Sequence, residues 1–188
     1  MQKKLRLAAY AMVVQLLLVI PAIYFEVLRT KQGLVGTAQI LYVVANIGSI
    51  ITYCIGMYGF VLIGKKYKNR LMEYSAFSFM GIAIVSTVFN VILSNVQYDP
   101  NNLGRALLAA FILFLSGLPG IPFGISLFQL KTRLGGKAEG AGVLSVLISA
   151  SLLTIILGIL GFLLMIPWII LLIVILLQES KKAPHGGA

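Results

Sequence analysis

Residues 141–177 read AGVLSVLISASLLTIILGILGFLLMIPWIILLIVILL, without one charged side chain. As a single helix rising 1.5 Å per residue, the stretch would be about 55 Å long, nearly twice a hydrocarbon core about 30 Å thick. The simplest resolution is two short spans meeting near Gly158-Ile159-Leu160-Gly161, where two glycines three apart allow a tight turn.

Working back from there, four more apolar stretches precede it, each reaching the roughly 20 residues a transmembrane helix needs. The 188-residue chain is 60% hydrophobic and only 11% charged, too little charge to cover a water-soluble surface. The reading is an all-α polytopic transmembrane helical bundle with six spans, at about 5–27, 38–63, 72–96, 103–130, 141–159 and 160–177. These form one domain, 1–180, and the Pro and Gly content of 181–188 predicts a short disordered tail. The first stretch starts like a signal peptide, after Lys3, Lys4 and Arg6, but its apolar core is too long. It ends in Pro21, Tyr24, Phe25 and Glu26 with no small-x-small cleavage site, so it is read as a retained span.

Charge placement supports six. Lys3, Lys4 and Arg6 precede the first span, and Lys65, Lys66, Lys68 and Arg70 follow the second. Lys131, Arg133 and Lys137 follow the fourth, and Lys181 and Lys182 end the last. Six spans put these twelve residues on one side against Arg29, Lys31 and Arg105 on the other. Because short cytoplasmic segments collect Lys and Arg, both termini are predicted cytoplasmic, in a plasma (inner) membrane. The net charge of +10 is spread over short loops without exposed aromatics between them. That excludes a nucleic-acid surface and fits attraction to anionic lipid headgroups.

Tyr58-Gly59 and Phe123-Gly124 each stand before a basic loop, a lone glutamate (Glu73, Glu139) and a new span, at an offset of 65 to 66 residues. The pattern suggests two parallel helical hairpins, a possible repeat of a kind found in some transporters.

The candidate functional residues are few. Gly48, Thr52, Gly56 and Gly59 fall on one stripe of span two. Ser151, Thr154, Gly158 and Gly161 have comparable spacing and, like the first stripe, are read as helix-packing faces. Asn46, Ser86 and Asn90 are the polar side chains expected deep in the membrane, either joining helices or lining a wet cavity. Gly117, Pro119, Gly120, Pro122 and Gly124 predict a kink or break in span four. Beyond it, Leu127, Leu130 and Leu134 share a face that suits an interfacial segment with Lys131 and Arg133 reaching to water. Tyr10, Tyr24, Tyr67, Tyr74, Tyr98 and Trp168 are read as interfacial anchors. Cys54 is alone and reads as a small packing residue.

No ionisable residue falls in the middle of a span, which argues against proton relays, voltage sensors and charge-coupled pumps. His185 is the sole histidine and lies in the tail, and the acidic residues stand singly at span ends. No catalytic, cofactor or metal-binding set is therefore expected.

From Phe123 to Leu177, the Lys131-Thr-Arg-Leu-Gly-Gly loop, the two glycine-separated apolar runs and Pro167-Trp168 resemble small multipass membrane proteins of prokaryotes. That resemblance implies a membrane bundle and carries no catalytic or ligand-binding residue with it. The functional expectation is a non-enzymatic accessory or scaffolding subunit that packs against a membrane-protein partner or itself through its glycine faces. The alternative is a small transporter or channel for a neutral or weakly polar solute, lined by Asn46, Asn90 and the span-four break.

Overall fold

The computed structural model describes residues 1–32, 36–94, 103–154 and 158–182, and these are helical apart from short turns. The helices are α1 (Gln2–Gln32), α2 (Thr37–Tyr67), α3 (Arg70–Ser94), α4 (Leu103–Gly117), α5 (Gly120–Gln129), α6 (Lys131–Leu134), α7 (Gly136–Leu153) and α8 (Gly158–Lys181). Five stretches are long and apolar enough to cross a membrane: Thr37–Tyr67, Arg70–Phe89, Leu107–Gln129, Gly136–Leu153 and Leu163–Lys181. Helix suits such sequences because it pairs backbone polar groups internally, where lipid offers no partners. The chain is thus an integral membrane protein of the all-α helical-bundle class.

Helix α1 packs along α2. Leu18 faces Gly48, Met12 faces Gly56 and Ala8 faces Gly59, so the two helices run antiparallel. A methyl group at Gly56 would sit 2.6 Å from Met12 Cγ, and one at Gly59 would sit 2.7 Å from both Ala8 Cβ and Leu176 Cδ2. The expected stripe on α2 is a close-packed contact at these two positions, while Gly48 has only an ordinary contact at 3.9 Å.

The chain doubles back between α7 and α8, but earlier than the expected Gly158–Gly161 turn. Helix α7 ends at Leu153, the Thr154 N–H donates to Ala150 O (3.1 Å), and the Thr154 hydroxyl donates to Ser151 O (3.0 Å). Gly158 opens α8. Gly161 serves close approach, since a Cβ there would lie 3.3 Å from Ser151 Cβ and from Leu152. Ser151 in α7 therefore faces Gly161 in α8 across the hairpin, while Thr154 caps α7 and Gly158 begins α8.

The span-four break is real: α4 stops at Gly117, and α5 begins at Gly120 after Leu118-Pro119. Its glycines let α5 lie against α7. Gly124 would clash with Gly142 O (2.8 Å) if it carried a side chain, and Gly120 sits against Ser149. Ser145 Oγ donates to Gly120 O at 2.8 Å across the same contact. Past the break, Leu127, Leu130 and Leu134 are buried while Lys131, Thr132 and Arg133 are exposed, giving the expected amphipathic segment.

Between α2 and α3 the chain turns through Lys68, which adopts the left-handed conformation (φ 55°, ψ 33°) usually left to glycine. Asn69 then caps α3, its Oδ1 accepting the Met72 N–H at 3.0 Å. Both basic loops thus join antiparallel helix pairs, α2 with α3 and α5 with α7, as the hairpin reading expected. Their aromatic positions differ, however: Phe123 is fully buried and Tyr58 is exposed.

The core lies toward the chain termini and centres on Phe123. Its ring meets Phe60 at 5.3 Å, Phe79 at 5.5 Å and Trp168 at 6.1 Å between centroids. Trp168 is therefore not an interfacial anchor. It is 5% exposed and lies ten residues into α8, about 15 Å along the helix. Tyr10, Tyr24 and Tyr74 do face outward. Tyr98 and the tail 183–188, with His185, lie outside the described residues.

Candidate functional site: an intramembrane cavity and a polar clasp

Above the aromatic cluster lies a cavity of about 620 Å³. Every long helix contributes a wall: Gln15 from α1, Tyr53 from α2, Ser86 from α3, Ser116 from α4, Ser149 from α7 and Trp168 from α8, with isoleucine, leucine and alanine between them. The lining is mostly apolar, and its polar groups are hydroxyls, one amide and one indole.

Most of those groups already have partners. Gln15 reaches from α1 to Ser49 (2.9 Å) and Thr52 (2.8 Å) on α2. The hydroxyls of Ser116 and Ser149 donate to the backbone of their own helices, to Ile112 O and Ser145 O at 2.8 Å each, while Ser145 donates across to Gly120 O. What these hydroxyls offer the cavity is oxygen lone pairs. Trp168 differs: among the described residues, its Nε1 is the buried side-chain donor left without a hydrogen-bond partner. A buried N–H without an acceptor costs about 1–3 kcal/mol.

At the basic end, a clasp fastens the termini. Glu179 has a side chain only 1% exposed; its Oε2 accepts from Lys66 Nζ at 2.8 Å and from the Tyr67 hydroxyl at 2.9 Å, and its Oε1 meets the Lys182 ammonium. Lys182 in turn donates to Arg133 O (2.6 Å), and Gln2 donates to Lys182 O (2.7 Å). The start of α1, the α2–α3 turn, α6 and the end of α8 thus meet at one end of the bundle. Asn69 adds a bond to Gln129 at 3.0 Å.

The expected polar residues fare unequally. Ser86 lines the cavity. Asn46 does not: its Nδ2 donates to Tyr42 O at 2.9 Å, one turn back on α2. Asn90 lies on α3, with its side chain outside the described residues. The break contributes through Ser116, one residue before Gly117. Three participants were missed. Gln15 was visible as a lone amide ten residues into the first apolar stretch, and Glu179 as the one acid among the C-terminal lysines. Trp168 gave no such signal, since hydropathy does not say which way a side chain faces.

In comparisons with known proteins, the chain matches no protein family, no curated protein and no solved structure.

Proposed function

We propose that the protein is a non-enzymatic carrier in a plasma membrane, both termini cytoplasmic, that binds a neutral, largely apolar molecule bearing a hydrogen-bond acceptor. The observation that carries this reading is the cavity walled by all the long helices, with Trp168, whose buried N–H has no partner, among its lining residues. The polar groups lining it are uncharged at neutral pH, so a charged occupant would lose its hydration without gaining a counter-ion. The Gly117–Pro119 break beside Ser116 supplies a place where one wall can bend to admit a solute.

The accessory-subunit reading rested on glycine faces available to a partner. Gly56, Gly59, Gly120, Gly124 and Gly161 all meet neighbours within this chain, which favours the cavity reading.

The test titrates the purified protein in neutral detergent with methyl nonyl ketone, undecane and undecanoate, reading the unfolding midpoint. The ketone is expected to raise it saturably and more than the other two. Ala83→Phe, which places a ring in the cavity wall, should remove the response. No saturable rise with the ketone, or a full rise in Ala83→Phe, would count against the reading.

A further inference from the structure

The basic loops form a second concavity, separate from the cavity. It encloses about 370 Å³ between the α2–α3 turn and the α5–α6 turn, and its wall includes Lys66, Lys68, Gln129, Thr132 and Arg133. The charges around it do not balance. Glu179, which bonds two residues of this wall, is engaged by Lys66, Tyr67 and Lys182, and Glu73, packed against Gly64 in the same turn, forms no ion pair among the described residues. Lys131 pairs with Glu139 at 3.6 Å in the open. Lys68 and Arg133 have no carboxylate within ion-pair distance among the described residues, and both line the hollow.

The backbone adds a second observation. Lys68 holds a left-handed conformation in which glycine would be relaxed, and its side chain has no role in the surrounding core. The hollow is held open by bonds that leave those two cations free. Asn69 Nδ2 joins Gln129 Oε1 between the turns, and Lys182 anchors the Arg133 carbonyl, not its guanidinium. Two cations, a threonine hydroxyl and a third, half-shared ammonium around one concavity match the needs of a phosphate: charge-assisted donors from several directions, with Arg able to bind in a bidentate manner.

We infer that this hollow is a binding site for a phosphate-bearing group. At the end of the bundle where the basic loops gather, such a group comes from one of two sources, an anionic lipid headgroup or a free phosphorylated molecule. Lys68 and Arg133 are the gripping residues. Lys66 is shared with Glu179, so it adds charge while holding the fold.

The experiment uses the full chain in phosphatidylcholine nanodiscs with and without phosphatidylglycerol, native mass spectrometry to count retained lipid, and inorganic phosphate as the soluble probe. Wild type should retain phosphatidylglycerol over phosphatidylcholine. Lys68→Gly should weaken that retention about tenfold, and Arg133→Gln by a similar factor. Lys68→Gly also relaxes the turn, so its loss of lipid cannot be ascribed to unfolding; a circular-dichroism melt in the same nanodiscs checks this. Lys137→Gln, a basic residue outside the hollow, is the control and should leave retention unchanged. Competition by inorganic phosphate would identify the soluble source, and its failure beside retained phosphatidylglycerol would identify the lipid. Equal losses from Lys137→Gln and Lys68→Gly, or no preference for either phosphate probe, would overturn the proposal.

Discussion

Around Gly56 and Gly59, α2 presses against Met12, Ala8 and Leu176 so closely that not even a methyl group fits. At Gly48, about two turns earlier, the nearest side-chain atom is 3.9 Å away. The same contrast runs along α2 and α3. Toward the termini lie the buried residues Met57, Phe60, Ile63, Met72, Phe123 and Leu176, with the Glu179 clasp closing that end. Beyond Gln15, α2 turns Ile40, Val44, Ile47 and Ile51 outward, and α3 turns out Ile84 and Val88. Packing in lipid depends on shape and hydrogen bonds more than on expulsion from water, so the close glycine contacts mark where the fold is held. The cavity lies where that tight half gives way to the looser one. An occupant can be admitted there without dismantling the contacts that define the fold.

The contrast predicts a ranked series, measurable by unfolding in mixed micelles. Phe123→Ala removes the centre of the aromatic cluster and should cost about 3–5 kcal/mol. Glu179→Gln leaves Lys66 and Lys182 without their carboxylate. The loss should be about 2 kcal/mol, moderated by the partial exposure of both lysines. Lys68→Gly should stabilise by about 1 kcal/mol, because glycine adopts the left-handed turn without strain. Gly48→Ala, in the looser half, should stay within about 0.5 kcal/mol of wild type. If Gly48→Ala proved as damaging as Gly59→Ala, the two halves would not differ in packing as described.

Much of the fold was legible because hydropathy and charge act over whole segments. The uncharged run 141–177 could not be one upright helix, and the placement of Lys and Arg brought both termini to one end of the bundle. The Gly117–Gly124 break was legible because proline removes a backbone donor wherever it sits. Finer features depend on rotation about each helix axis, which composition leaves open. Trp168 has the composition of an interfacial anchor and the position of a core residue. Asn46 looked like a lining residue and turns back on its own helix, while Gln15, a similar amide, crosses to α2. The turn between α7 and α8 falls before Gly158 because Gly161 serves a helix contact, and one sequence feature suited either use.

The most direct test of the central claim follows the emission of Trp168, the sole tryptophan in the chain. The protein, reconstituted in phosphatidylcholine nanodiscs, is titrated with methyl nonyl ketone and separately with undecane. The account predicts a saturable change in emission with the ketone and roughly tenfold weaker binding of the hydrocarbon, which cannot accept the indole N–H. A ketone titration with no saturable change would contradict an intramembrane site at Trp168.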